Sequence, residues 1–269
     1  MAIQIIGTLS ILLTILTLVM LIKYLLRQTD QTISSKMGFI APWTAMVLSL
    51  AWWLHHNVFT SAGIDLNFYN SLAITAFVVN VLLLSMSCFK PTQHAGLIVL
   101  PITLIAVALS MGSHQISTTP DMNAGMQLHI ITSMVAFSIL GLAAVQAILL
   151  FFQERSLHNH SSVFLLRSLP SMHESEAQLF QFITTGMVIL TASLATGFVF
   201  IEDIFAQHLA HKTTLSCIAW LVFLILIMGR IKFGWRGQTA IKWALGGFSF
   251  LILAYYGSKF VLELILSNS

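Results

Sequence analysis

Charged residues are scarce in this sequence. Asp, Glu, Lys and Arg together make up only 8% of its 269 residues, whereas soluble domains carry about 25%. So few charged side chains cannot cover a water-facing surface, and the mean hydropathy of +0.90 indicates that lipid surrounds most of the chain. The net charge of +3 is spread over short segments between apolar runs, so nothing in it points to a nucleic-acid partner.

Cysteine is scarce as well. The two cysteines, Cys88 and Cys217, lie far apart in the sequence, and neither CxxC nor CxxCH occurs. This pattern excludes a thiol–disulfide exchange protein and a carrier of covalently attached c-type haem. The spans predicted below place the two thiols near opposite faces of the membrane, so we expect no disulfide between them.

Long apolar runs, in contrast, fill the sequence. A helix needs about 20 mostly apolar residues to cross a bilayer. Eight segments qualify, namely 3–26, 38–58, 68–88, 95–112, 129–152, 178–201, 213–231 and 240–265. The first lacks a charged n-region and an A-x-A cleavage site, so we interpret it as a retained span. These spans predict an all-α bundle of eight transmembrane helices that forms a single membrane domain over residues 1–269.

Lysine and arginine are distributed unevenly over the loops. Of the 12 basic residues, one face receives only Lys212, and Lys259 lies within the last span. The other ten follow the odd-numbered spans: Lys23, Arg27, Lys36, Lys90, Arg155, Arg167, Arg230, Lys232, Arg236 and Lys242. Because Lys and Arg accumulate in cytoplasmic loops, we predict a multi-pass protein of the bacterial inner membrane with both termini on the outer, periplasmic side.

Histidine is unusually frequent, with 10 residues against nine acids. Five histidines lie at the predicted outer face: His55, His56, His129, His208 and His211. The other five are interpreted as solvated loop residues: His94, His114, His158, His160 and His173. Neutral imidazole is a good ligand for iron, and haem iron takes axial ligands from both sides of its ring. His129 and His211 are therefore candidate haem ligands, although their positions equally suit amphipathic interfacial side chains.

Polar residues inside the spans have several possible roles. Span three contains Asn67, Tyr69, Asn70, Ser71 and Asn80, and we interpret these as contacts that hold helices together, because polar groups in lipid need partners. Lys259 lies deep in the last span, where a charge is costly. It can reach outward to the headgroups, pair with Glu263, or neutralise a bound anion such as a haem propionate. The segment GWRG, residues 234–237, fits a tight turn at the lipid headgroups.

Four longer stretches carry a family resemblance. They are LHIITSMVAFSILGLAAVQAILLF (128–151), PSMHESEAQLFQFITTGMVILTASLATGFVF (170–200), HKTTLSCIAWLVFLILIMGRIKFGWRG (211–237) and LAYYGSK (253–259). They resemble the integral membrane proteins of cytochrome c assembly, the haem-handling family that includes CcsA-, CcmC- and HemX-like proteins, and above all its eight-span bacterial branch. The stretch NFYNS (67–71) resembles a degenerate form of the family's Asn-x-Tyr-Glu-Ser.

The resemblance implies haem ligands at two positions. In this family, two histidines on the outer face serve as external haem ligands. One stands at the start of a span after a leucine, as in Leu128-His129. The other precedes a span of the form K-T-x-x-S-x-x-x-W, as His211 does here. His129 and His211 are thus implied to hold the iron of a non-covalent haem b.

The family's tryptophan-rich outer motif is missing. None of the six tryptophans lies in a predicted outer loop: Trp43, Trp52, Trp53, Trp220, Trp235 and Trp243. Since that motif presents haem to its acceptor, the resemblance implies haem export, presentation or accessory assembly in cytochrome c maturation rather than cytochrome synthesis. We therefore expect a protein that is not an enzyme. The implied partners are haem, membrane lipid and other cytochrome assembly factors or an apocytochrome.

The sequence allows further site residues and two alternative functions. His55 and His56 are secondary candidates for cofactor binding, since the family has further histidines within spans, and Lys259 is a secondary candidate for contact with a propionate. The competing interpretation is a transporter or ion-homeostasis protein without a cofactor, in which Lys259, Glu263 and the asparagines of span three line a path. A third is a structural partner that stabilises another membrane complex.

Overall fold

Helices make up nearly all of the structure. The computed structural model describes residues 2–26, 33–60, 63–112, 118–119, 123–158, 170–200, 207–257 and 259–260. Its long helices are α1 (Ala2–Leu26), α2 (Ile33–Val58), α3 (Phe68–Ser87), α4 (Gly96–Gly112), α5 (Ala124–His158), α6 (Met172–Phe200), α7 (Gln207–Phe233) and α8 (Gly237–Ile252). All eight are long and apolar enough to cross a membrane, α8 together with the π-helical turn Leu253–Gly257 that continues it. The predicted all-α architecture with eight transmembrane helices is therefore confirmed.

Three very short strands accompany the helices. They are β1 (Phe59–Thr60), β2 (Gly63–Asp65) and β3 (Thr118–Thr119), and they pair antiparallel in the order β1-β2-β3. β1 and β2 lie between α2 and α3, whereas β3 lies between α4 and α5. The strands therefore pair part of the backbone of two loops that are predicted to lie at the outer face.

α5, α6 and α7 begin earlier than their apolar runs predict, and polar residues cap the first two. The side chain of Asn123 accepts the backbone N–H of Met126 (2.8 Å) and starts α5 ahead of His129. Ser171 and Glu174 each accept the other's backbone N–H at the start of α6, which forms a capping box. α7 also begins before its apolar run, so His211 lies within the helix rather than ahead of it.

The chain forms two compact units. The first contains residues 1–121 and 160–170, and the second contains residues 122–159 and 171–269. In the first unit, α1 and α3 each pack against α2 and α4. In the second, α5 and α7 each pack against α6 and α8. The single membrane domain over residues 1–269 stays a prediction.

Hydrogen bonds at the start of α3 join three helices of the first unit. Asn67 caps α3 by accepting the backbone N–H of Asn70 (2.7 Å). The Asn70 side-chain oxygen then accepts from the Asn57 amide on α2 (2.9 Å) and from the Ser110 hydroxyl on α4 (2.6 Å). The polar residues of NFYNS therefore act as a cap and a cross-link between helices.

A second polar cross-link lies deeper in the same unit. Asn80 on α3 is fully buried. Its side-chain oxygen accepts from the Trp43 indole N–H on α2 (3.0 Å), and its amide donates to the Thr103 hydroxyl on α4 (2.6 Å) and to the carbonyl of Ala76 (2.8 Å). The interpretation of these asparagines as contacts between helices agrees with this geometry.

His94 departs from its expected environment. It lies in the 3₁₀ turn Gln93–Ala95 and is 5% exposed, so the prediction of a solvated loop residue is wrong. The cause is the close approach of α4 to its neighbours. A Cβ built on Gly96 would lie 2.8 Å from Leu21 and 3.0 Å from Trp43, so the preceding turn is pressed into the unit. His173 is exposed as expected, whereas the side chains of His114, His158 and His160 lie outside the described residues.

Candidate functional site

His129 is held by α6 rather than by its own helix. Its Nδ1 lies 2.9 Å from the backbone carbonyl oxygen of Ser193 and 3.4 Å from the hydroxyl of Thr196. A carbonyl oxygen can only accept, so Nδ1 carries the proton and donates it to Ser193. In a neutral imidazole with this tautomer, Nε2 holds the lone pair.

A glycine makes room for the imidazole. A Cβ built on Gly197 would lie 2.9 Å from Cε1 and 3.2 Å from Nδ1 of His129, closer than side chains ordinarily approach each other. Ser193 and Gly197 are one turn apart on α6 and are both buried. The ring of His129 therefore rests in a gap that any larger residue at position 197 would fill.

The second ring nitrogen remains available. His129 is half-buried, and within the part of the chain that the structure describes its Nε2 has no hydrogen-bond partner. Histidines that bind metals usually donate their other ring N–H to a carbonyl or carboxylate, which fixes the tautomer and the ring orientation. The donor chemistry of His129 thus fits an axial ligand of haem iron that binds through Nε2.

His211 lies on a different helix of the same unit. It is exposed in the second turn of α7, and it makes no hydrogen bond to any residue in the described ranges. The Trp220 indole on α7 donates to the Thr191 hydroxyl on α6 (2.9 Å). α6 therefore contacts both helices that carry a candidate ligand, although no hydrogen bond or ring contact joins His129 to His211 among the described side chains.

The paired histidines of α2 contact aromatic neighbours. The His56 ring lies 4.1 Å from the Trp52 ring between centroids, tilted by 56°, and the His55 ring lies 5.5 Å from the Phe59 ring. All four side chains are exposed. An exposed aromatic cluster at the end of a transmembrane helix is typical of a membrane–water interface, so these contacts favour the interfacial role for His55 and His56.

Lys259 follows the π-helical turn that ends α8. Its ammonium group lies 5.7 Å from the centre of the Tyr255 ring. Phe137 of α5 packs against Tyr255 and Tyr256 of this turn, at 5.7 and 5.4 Å between ring centroids. π-Helical turns are frequent at functional sites. Glu263, the proposed partner of Lys259, lies outside the described residues.

The sequence prediction of the site was incomplete on α6. Ser193, Thr196 and Gly197 were not singled out, although they determine how His129 is held. A small-xxx-small pair in a transmembrane helix, here Ser193 and Gly197, is a known signal for close helix approach. Among the described residues, no three His, Cys, Asp or Glu side chains are grouped closely enough to hold a metal ion.

Comparison with known proteins places this geometry in context. The family model described as "Cytochrome C assembly protein" matches residues 3–266. Inner membrane protein YpjD of Escherichia coli (strain K12) is 29% identical over 201 residues, which cover 72% of this chain and 76% of that protein. An uncharacterised 28.8 kDa protein of Azospirillum brasilense is 30% identical over 204 residues, covering 73% and 75% of the two chains.

A shorter similarity extends to a cytochrome c biogenesis protein. CcsA of Prochlorococcus marinus (strain NATL2A) is 32% identical over 77 residues, or 28% of this chain and 24% of that protein. No solved structure matches the chain.

Proposed function

Because the chain belongs to the cytochrome c assembly protein family, we propose that it binds haem b non-covalently and makes it available during cytochrome c maturation. Family membership and the similarity to CcsA support a role in that process. The chain is a multi-pass inner-membrane protein. Haem is the cargo in this proposal, and both termini lie on the periplasmic side, as the distribution of Lys and Arg predicts.

One observation carries the proposal. The imidazole of His129 donates from Nδ1 to a backbone carbonyl and leaves Nε2 without a partner in the described ranges. The ring is half-buried and Nε2 is not enclosed, so a ligand can reach this nitrogen. His129 therefore has the arrangement of a metal ligand supported by its neighbours.

The second axial ligand in this proposal is His211. Its exposure leaves its ring free to turn, and α6 contacts the helices of both histidines. The aromatic side chains around Phe137 and the π-helical turn supply an apolar surface for a porphyrin, and Lys259 supplies a cation for a propionate. His55 and His56 are secondary candidates, for which the contacts with Trp52 and Phe59 favour an interfacial role.

In this account the protein's own work is binding and presentation. Ser193 fixes the tautomer of His129, and Gly197 admits its ring. The protein breaks and forms no covalent bond of its own, so we propose that it is not an enzyme. Its partners are haem, membrane lipid and another assembly factor or an apocytochrome that receives the haem.

Haem titration of the purified protein tests the proposal. We expect a Soret band in the wild type, and a loss of affinity of more than about 100-fold in His129→Ala, because loss of a partner behind a metal ligand alone costs about 10–100-fold. His211→Ala should shift the band, since one axial ligand is replaced. His173→Ala is the matched control, because His173 is an exposed histidine of the same unit. Equal binding by all variants would reject His129 as the ligand.

The transporter alternative assigns a path to Lys259, Glu263 and the asparagines of span three. Of these asparagines, Asn70 and Asn80 form hydrogen bonds to α2 and α4, which favours a structural role for them. A wild-type preparation that takes up no haem, together with flux of an ion across vesicles, would reinstate that alternative.

A further inference from the structure

The turn between α7 and α8 has a fixed backbone. Gly234 and Gly237 adopt positive φ angles of 66° and 52° on either side of Trp235 and Arg236. Glycine tolerates this left-handed region without the penalty that a Cβ brings. Since both adjoining helices are long and apolar enough to cross a membrane, the turn lies where the chain leaves and re-enters the bilayer.

The acidic side chains near this turn are already engaged. Glu176 of α6 accepts the backbone N–H of Gly237 (2.8 Å) and lies 3.9 Å from the guanidinium of Arg230. Arg230 also donates to the carbonyl of Trp235 (3.1 Å). Glu154 of α5 accepts from the side chain of Gln238. Both carboxylates and Arg230 therefore serve to anchor the turn to α5, α6 and α7.

Three cations beside the turn remain unneutralised. Lys232, Arg236 and Lys242 are exposed, and none makes a hydrogen bond or ion pair with a residue that the structure describes. Two large apolar side chains accompany them, Ile231 at 74% and Phe233 at 76% exposure. The surface therefore combines unpaired positive charge with apolar groups at the end of two transmembrane helices.

An aromatic stack joins the segments that carry these cations. The Trp235 ring stacks against Phe233 at 6.4 Å and against Trp243 at 5.5 Å between centroids. Each ring has a cation as its neighbour in sequence, namely Lys232, Arg236 and Lys242 in the same order as Phe233, Trp235 and Trp243. The stack brings the end of α7 and the first two turns of α8 together, so the three cations lie on segments that the stack joins.

We propose that this cationic–aromatic surface, formed by Lys232, Phe233, Trp235, Arg236 and Lys242, binds the phosphate group of an anionic phospholipid. Charge complementarity selects the headgroup, and the exposed rings suit the interfacial region in which indoles and phenyl rings collect. The first N–H of α8 already donates to Glu176, so binding depends on the side chains. The proposal is independent of haem binding.

Arg236 supports this inference because arginine is unfavourable at the position that it occupies. It occupies the N-cap position of α8 and makes no side-chain capping hydrogen bond. Ser, Thr, Asp and Asn are preferred there, and a cation at a helix N-terminus is electrostatically unfavourable. The Glu176 carboxylate at the first N–H of α8 offsets part of this cost, and a bound anion adds to that. Departures from local preference are expected where a residue has a function.

Lipid retention by the full-length protein tests the proposal. The protein is placed in nanodiscs made of equal parts phosphatidylcholine and phosphatidylglycerol, released into mild detergent and examined by native mass spectrometry for lipid that stays bound. The wild type should retain phosphatidylglycerol preferentially. The double variant Arg236→Gln/Lys242→Gln should lower that preference by about 25-fold, because each cation near a membrane surface contributes about fivefold.

A matched control removes the same charge elsewhere. Lys36→Gln/Lys90→Gln lowers the net charge equally at two exposed lysines that are predicted to face the same side. It should change the preference much less, because a diffuse surface charge attracts anionic lipid within the bilayer but does not hold an individual lipid during transfer into detergent. Thermal unfolding in pure phosphatidylcholine checks that every variant is folded, and Lys232→Gln alone provides a milder test. Equal loss in both double variants, or no preference in the wild type, would overturn the proposal. Displacement of the lipid by inorganic phosphate would also overturn it, because the site would then bind the free ion.

Discussion

Asn80 in the first unit and His129 in the second are both polar side chains within transmembrane helices. They differ in how many of their hydrogen-bonding groups have a partner on another helix. The Asn80 amide has a partner on each side, Trp43 on α2 and Thr103 on α4. His129 donates from one nitrogen to Ser193 and keeps the other available within the described ranges. Asn80 therefore holds three helices together, whereas His129 keeps a nitrogen to which a ligand can bind.

The largest loss of stability is expected when the hydrogen bonds of Asn80 are removed. Asn80→Leu leaves the buried indole N–H of Trp43 without its acceptor, and an unsatisfied buried donor costs about 1–3 kcal/mol of unfolding free energy. Denaturant titration in detergent measures the loss, and haem affinity should not change. Ser85→Ala on the same helix is the control, because among the residues that the structure describes the exposed Ser85 hydroxyl bonds only to the carbonyl of Val81 on its own helix. A stability loss as large in Ser85→Ala would contradict the assignment.

Gly197→Ala tests the packing of the His129 ring against α6. The new methyl group must displace the His129 ring, so we expect haem affinity to fall by about tenfold, at the lower end of the effect of disturbing a partner behind a metal ligand. Gly246→Ala is the matched control, since a Cβ at Gly246 meets nothing within 4 Å. Haem titration of both variants decides the matter, and unchanged affinity in Gly197→Ala would show that the close packing of His129 on α6 has no role in binding.

A smaller change of stability should follow from Trp43→Phe. This substitution removes the indole donor and leaves the Asn80 oxygen without it, while the amide keeps Thr103 and the carbonyl of Ala76. An unsatisfied buried group costs about 1–3 kcal/mol, and we expect the lower end of that range because acceptors are left unpaired more readily than donors. In the same denaturant titration, Trp43→Phe should lose less unfolding free energy than Asn80→Leu. The reverse order would mean that packing of the indole, rather than its hydrogen bond, dominates at this site.

The smallest effect is expected for Thr196→Val. Its hydroxyl lies 3.4 Å from Nδ1 of His129 and already donates to the carbonyl of Ser193 (2.9 Å). Because the shorter contact of His129 is with the Ser193 carbonyl, we expect a change of haem affinity of only about twofold, below the range for the loss of a principal partner. A loss as large as that of Gly197→Ala would make Thr196 the group that orients the imidazole.

The fold was largely predictable because its signal is local. Runs of about 20 apolar residues mark membrane-crossing helices, and all eight were located from them. The helix starts were less accurate, because Asn123 and the Ser171–Glu174 capping box extend α5 and α6 into polar sequence. Those caps have a sequence signature, so this error was avoidable.

The site was predictable only in part, because its supporting contacts come from distant residues. The positions of His129 and His211 could be proposed from the sequence, but the carbonyl that holds His129 belongs to Ser193. A backbone carbonyl has no residue signature. His94 shows the opposite case, since a loop histidine became buried through the close approach of α4 at Gly96.

The central claim is that the available nitrogen of His129 binds haem iron. Its most direct test is the absorption spectrum of the protein extracted gently from its own membrane, measured for the wild type and for His129→Ala. The account predicts a red wild-type preparation with a Soret band, and a variant that lacks most of that absorbance while retaining its helical circular dichroism. A colourless wild type that stays colourless after haem is added, or a variant with the wild-type spectrum, would contradict it.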